Sequence, residues 1–144
     1  MYKKIFLDAN VIVDIYDDSR TFYSYSTKVF EYIFEDEDIE LYTSCDIVTT
    51  IYYLLAKQNK ELALDAIIDI NEACQVVEFG NLEVTKSCKL MKEDKNFIDL
   101  EDTIQFVMAQ KVGADLILSN DQAFVSDKIE LMHTKTLCEK YKLT

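Results

Sequence analysis

The sequence predicts an α/β sandwich built on a central, mostly parallel sheet of about five strands, and three observations lead there. Short apolar runs of strand type alternate with longer segments of helical period along the whole chain. There is no proline and the only glycines are Gly80 and Gly113, so nothing divides the chain into separate units. Asn10, Ser44 and Asp121 each stand where a strand-like run ends, and short polar side chains there can accept hydrogen bonds from the free amides of a following helix. In a parallel sheet such turns collect at the carboxyl edge of the strands, where ligands bind.

The elements follow in order. Lys4–Leu7 is the first strand, three apolar residues behind a lysine, and Val11–Tyr16 is a short helix after it. Thr21–Glu35 is a longer helix, Glu40–Thr43 the second strand, and Asp46–Lys57 and Lys60–Ala73 two further helices. Gln75–Glu78 is the third strand and Asn81–Lys92 the next helix. Leu100–Val112 ends at Gly113, where a left-handed helix cap is wanted, and Ala114–Leu118 begins the fourth strand at once. Lys128–Met132 is the fifth. The acidic run Glu35-Asp36-Glu37-Asp38 between a helix and a strand reads as a solvated loop.

With 144 residues, 49% of them apolar and 12% aromatic, residues 1–144 are expected to form one domain with a substantial core. No stretch approaches the roughly 18 apolar residues of a membrane span, and MYKK leads straight into a strand, so a cytoplasmic protein is expected. Cys45, Cys74, Cys88 and Cys138 show no zinc-like spacing and read as buried, reduced thiols. The net charge of −12 excludes a broad basic surface for nucleic acid. A polyanionic substrate would need a local cation, a divalent metal, or a partner that brings positive charge. Lys86, Lys89 and Lys92, with Lys95 beyond, make the only basic stripe, and Arg20 is an isolated cation near the first acid. Both are candidate phosphate contacts, Arg20 equally a contact for a partner's carboxylate. Tyr52 and Tyr53 cannot both face one core, a pointer to a dimer or partner surface.

Acidic residues supply the sharpest signal. Asp8 ends the first strand, Asp102 opens the helix in FIDLEDTIQFVMAQKVGAD, and Asp121 follows the strand in ADLILSND. Asp99 sits three residues before Asp102, on the same helical face, and Glu101 is close by. Asp99 can cap that helix and Asn10 the first one, which leaves Asp102 and Asp8 without a local structural task. Two carboxylates about 5 Å apart repel by roughly 3 kcal/mol at an effective dielectric near 20. Three at one rim would take up protons or hold a cation. Only His133 and scattered cysteines are present besides, so the site offers oxygen ligands, which suit magnesium or manganese and the hydrolysis of phosphodiesters.

IFLDANVIVDIY, ELYTSCDIVTTIYYLL and FIDLEDTIQFVMAQKVGADLILSND, in that order and spacing, resemble the PIN domain, the fold of VapC-type ribonuclease toxins, over nearly the whole chain. The resemblance implies a PIN-like three-layer sandwich and a metal-dependent endoribonuclease, the toxin of a toxin–antitoxin pair. It puts the catalytic, metal-binding acids on Asp8, Asp102 and Asp121, and supporting residues on Asn10 and Ser119. It implies magnesium or manganese, an RNA substrate, an antitoxin partner and a homodimer. The family's glutamate on the helix after the second strand falls on Thr50, with Asp46 one turn earlier as a substitute and Asp46 or Asp99 supporting the site through water. The rival expectation is a catalytically weakened PIN-like module that serves binding and assembly. No GxGxxG, GxxxxGK[ST] or nucleophile-elbow serine is present.

Overall fold

The computed structural model describes residues 1–144 throughout. Strands β1 (Lys4–Leu7), β2 (Glu40–Ser44), β3 (Gln75–Val77), β4 (Leu116–Leu118) and β5 (Glu130–Met132) form one sheet in the order β3-β2-β1-β4-β5. Every neighbouring pair is parallel, with Leu7 level with Leu118 at the carboxyl ends of β1 and β4. The helices are α1 (Ala9–Asp14), α2 (Tyr23–Glu35), α3 (Cys45–Ala56), α4 (Lys60–Ala73), α5 (Asn81–Glu93), α6 (Leu100–Val112) and α7 (Thr134–Tyr141). The chain winds outward from β1 to β2 and β3, then crosses back to β4 and β5 on the other side. The order therefore reverses between β1 and β4, and a crevice opens beyond the ends of these two strands.

β1 and β4 are apolar without alternation because helices cover the sheet on both faces. Ile5, Phe6, Leu7, Leu116, Ile117 and Leu118 are each 1% exposed or less. Helices α1, α2, α3, α4 and α7 pack among themselves, while α5 packs on α6 and α6 on β2. The middle of α6 is buried all round, from Thr103 to Ala109. No helix is long and apolar enough to cross a membrane.

Several boundaries move from those expected, each for a local reason. α1 starts at Ala9, two residues early, because Asp8 caps it. β4 starts two residues late: the Asp115 amide still donates to the Lys4 carbonyl (2.9 Å), and its carboxylate takes the amides of Lys3 and Lys4 (2.9 and 3.0 Å), a side-chain splint that leads into the strand. β5 starts at Glu130 because Lys128 has a positive φ of 69°, outside strand geometry. α7 was not anticipated: it is short and charged, and its first amide is held by Asn120 (2.9 Å), a partner distant in sequence. The four cysteines are free, as expected, but only Cys74 and Cys138 are buried; Cys45 is half-buried and Cys88 exposed. Burial pushes the Cys74 thiol up to about 12.

Gly113 closes α6 in the left-handed region (φ 71°), and the next amide, of Ala114, returns to the Ala109 carbonyl at 3.0 Å. A Cβ there meets no neighbour, so any penalty is purely conformational. Gly113→Ala is expected to lower stability by roughly 1–2 kcal/mol. In urea denaturation this appears as a lower midpoint at unchanged slope.

Candidate active site

Asp8 lies one residue past β1, 4% exposed, at the crevice between β1 and β4. One carboxylate oxygen accepts from the Ala9 amide (2.7 Å), so Asp8 is itself the N-cap of α1. This corrects the expectation that Asn10 would cap the helix and leave Asp8 idle. Asn10 sits inside α1 and donates its Nδ2 to the other Asp8 oxygen at 3.0 Å. Ser119, one residue past β4, donates to the same oxygen at 2.7 Å. Burial still raises the Asp8 pKa, the donors from Ser119, Ala9 and Gln105 oppose that rise, and Asp121 adds to it.

Asp121 is placed by the loop after β4. Its amide donates to Ser119 Oγ (3.1 Å) and its Oδ1 accepts from the Ala123 amide (2.9 Å), so it stabilises a turn. No helix follows it, contrary to the helix start expected there. Ser44 does precede α3, but its hydroxyl goes to Asp46 and caps no amide.

Asp102 enters from the first turn of α6. Asp99 caps that helix as expected, accepting from the Asp102 amide at 3.0 Å. The Asp102 carboxyl is driven up to about 7, first by burial and then by Asp8, Asp99, Asp121 and Glu101. Every influence on it raises it, and no donor or cation of the chain offsets its charge. Glu101 is raised in the same way, by burial, Asp46, Asp8 and Asp99. Acids from β1, β4, α3 and α6 thus share one field at one rim.

The donor chemistry fits a hard cation. Carboxylates and hydroxyls line the rim, while His133 sits at the start of α7. The side chains do not form a closed cage, since no three of the acids, His or Cys converge on a single point. Magnesium tolerates this, as it retains several waters and takes only one or two carboxylates directly. Asp8, Asp102 and Asp121 are the residues that would hold it. Thr50 turns its hydroxyl back to the Asp46 carbonyl (3.4 Å) and adds no charge. Asp46 reaches the rim, where its charge acts on Glu101.

The basic stripe is not part of this arrangement. Lys89 faces Glu93 at 4.0 Å with both side chains largely exposed, and Lys86 acts on Glu83 of its own helix. Arg20 is closer, bound through Nε to the buried Asp14 at 2.7 Å. Three participants escaped the sequence reading. Asn120 donates to Asp14 (2.7 Å) and its amide to Asn10 (3.0 Å). Asp14 ends α1 with its side chain almost wholly enclosed. Gln105, 1% exposed, acts on Asp8 through Nε2 while its Oε1 has no partner. A glutamine within the otherwise apolar stretch IQFVMA was the available signal for it.

A family model described as "PIN domain" matches residues 5–126. Ribonuclease VapC1 of Aquifex aeolicus is 44% identical over 139 residues, 96% of each chain. Among solved structures, the VapC20 toxin of Mycobacterium tuberculosis, described as cleaving the sarcin-ricin loop, superposes with a TM-score of 0.69 at 15% identity, over 83% of this chain and 92% of that one. VapBC2 of Rickettsia felis, bound to a promoter DNA fragment, gives 0.69 at 14% identity, over 90% and 98%. At such identities these two likenesses speak for the fold alone.

The strain on Asp102 makes a prediction about pH. Its native pKa of about 7 stands above its ordinary value of 3.8, so between these the native state holds a proton that the unfolded chain has released. Stability of the metal-free protein therefore falls as pH rises from about 4 to about 7, and the loss is complete above that. Asp102→Asn removes the effect: in melts with chelator the variant should exceed the wild type near pH 8 and match it near pH 4. A gap of equal size at both pH values would count against strain at this carboxylate.

Proposed function

The chain belongs to the PIN domain family, and from that premise we propose that it is a divalent-metal-dependent endoribonuclease of the VapC kind, the toxin of a toxin–antitoxin pair. The observation that carries this reading is Asp102, a half-buried carboxyl at the strand-end rim pushed up to about 7 by burial first and then by the charges of Asp8, Asp99, Asp121 and Glu101. Asp8, Asp102 and Asp121 are assigned to the metal, which is magnesium or manganese by the hardness of the ligands. When bound, such an ion acidifies a water and stabilises charge on the phosphodiester oxygens.

The chain's own residues prepare that site. Ser119 and Asn10 fix one Asp8 oxygen from two directions, and the Ala9 amide fixes the other. Asp99 ties Asp102 to the first turn of α6. Asp46, held by Ser44, supports the rim from α3 and stands in for the negative charge that Thr50 lacks. The 44% identity to a ribonuclease favours the enzyme over a module that has lost activity.

An antitoxin and a second copy are the protein partners this reading implies. Support for a protein-binding face comes from Tyr53, Leu64 and Ile68, exposed on α3 and α4 at 66%, 44% and 55%. Tyr52 is half-buried while Tyr53 points outward under Lys57.

Calorimetric titration with manganese tests the site. The wild type should bind and Asp102→Asn should lose at least about a hundredfold in affinity, since even residues behind the ligands are worth 10–100-fold. Cleavage of structured RNA should follow the same pattern and stop with chelator. Absence of heat in the wild type, or cleavage that survives both chelator and Asp102→Asn, would defeat the reading.

A further inference from the structure

A cavity of about 360 Å³ opens beside the acids, lined among others by Asn10, Asp14, Arg20, Thr21, Phe22 and Asn120. It shares Asn10 with the rim, because the same amide group donates to Asp8. Arg20 spends only Nε on the chain, in a 2.7 Å bond to Asp14. Its two terminal amino groups make no bond to the protein, and its side chain is 34% exposed while that of Asp14 is 3% exposed.

This cation is built in. Asp14 is gripped from three sides, by Arg20 Nε, by Ser26 Oγ at 2.9 Å and by Asn120 Nδ2 at 2.7 Å. Asn120 is locked in turn, accepting from the Thr134 amide at 2.9 Å and giving its own amide to Asn10 at 3.0 Å. A carboxylate held this firmly fixes the plane of the guanidinium and leaves the outer edge free for a fork of two parallel hydrogen bonds. In a chain of net charge −12, Arg20 is a cation oriented by a buried acid and linked to Asp8 through Asp14, Asn120 and Asn10.

We propose that the cavity holds a phosphate of the RNA strand neighbouring the one that is cut, with the terminal amino groups of Arg20 on its oxygens and the Phe22 ring against the attached nucleoside. The proposal rests on the endoribonuclease reading and deepens it. The volume lies in the range of pockets that take a nucleotide-sized ligand. One polyanion must approach three acids, and although Arg20 and Asp14 together carry no net charge, the outer edge of the guanidinium faces the cavity and offers donors to a phosphate there. A protein carboxylate would use the fork but leaves the aromatic wall and most of the volume without purpose.

Fluorescence anisotropy tests this on the full chain, with a labelled 2′-O-methyl RNA dodecamer in chelator, so that nothing is cut. Arg20→Gln should weaken binding about tenfold and lower the salt slope by about one. Lys60→Gln, at the exposed start of α4, should change neither. Should Arg20→Gln fail to fold for want of a partner for Asp14, Arg20→Lys keeps the cation and loses the fork, and a severalfold loss at unchanged slope is then expected. Binding within twofold of wild type in every folded Arg20 variant overturns the proposal. So does unchanged RNA binding with lost affinity for a glutamate-rich peptide, which assigns Arg20 to a protein partner. If manganese binding and cleavage fail while the Arg20 dependence holds, the enzyme reading falls and the phosphate site stands. If cleavage succeeds and Arg20→Gln binds like wild type, the phosphate site alone falls.

Discussion

Repulsion among Asp8, Asp102, Asp121, Asp99 and Glu101 is the force the surrounding structure must withstand. For Asp8, Asp102 and Glu101 burial is the larger part of the strain and the like charges come second; Asp8 is closed to water, Asp102 half-buried and Glu101 exposed. What resists it is the sheet. β1 and β4 are neighbours held by a parallel ladder, and the Asp8 amide extends that ladder to the Leu118 carbonyl at 3.0 Å. The crevice therefore cannot widen without breaking pairing at the centre of the core. A site of this sort costs stability in the metal-free chain, and the apolar strands offset that cost.

Polar groups behind the rim form a continuous network. It runs from Asp8 through Asn10 and Asn120 to Asp14, Ser26 and Thr134, and joins β1, β4, α1, α2 and α7. Each member has its partners, the condition under which buried polar networks rigidify. Gln105 is the exception. Its amide nitrogen acts on Asp8 while its oxygen stays unpaired in the interior, so one acceptor near the acids is held without compensation.

Much of this was legible in the residues. The unalternating apolar runs around Phe6 and Ile117 gave a covered parallel sheet, and Gly113 marked the end of α6 to the residue. Asp8 and Asp121 were traceable as neighbours because each follows a strand whose carboxyl edge the topology gathers, and PIN-like spacing pointed to Asp102 in the first turn of α6. The capping of α1 was misread, since Asp8 and Asn10 are equally good caps in sequence and only backbone geometry decides between them. Asn120 and α7 were illegible for a different reason. Their hydrogen bonds join residues far apart along the chain, and local pattern carries no trace of such pairing. Charge likewise concealed the difference between Arg20, anchored by a buried acid, and Lys89, which faces solvent.

The bond from Ser119 to Asp8 joins positions 111 apart in a sheet whose central strand is made first and whose neighbour β4 is made late. On the ribosome, β1 must therefore wait for residues up to Ser119 to emerge before the Asp8 carboxylate meets this distant partner. A nascent chain that ends before Ser119 leaves the Asp8 carboxylate without this donor, so the acidic rim takes its shape only once β4 has joined the sheet.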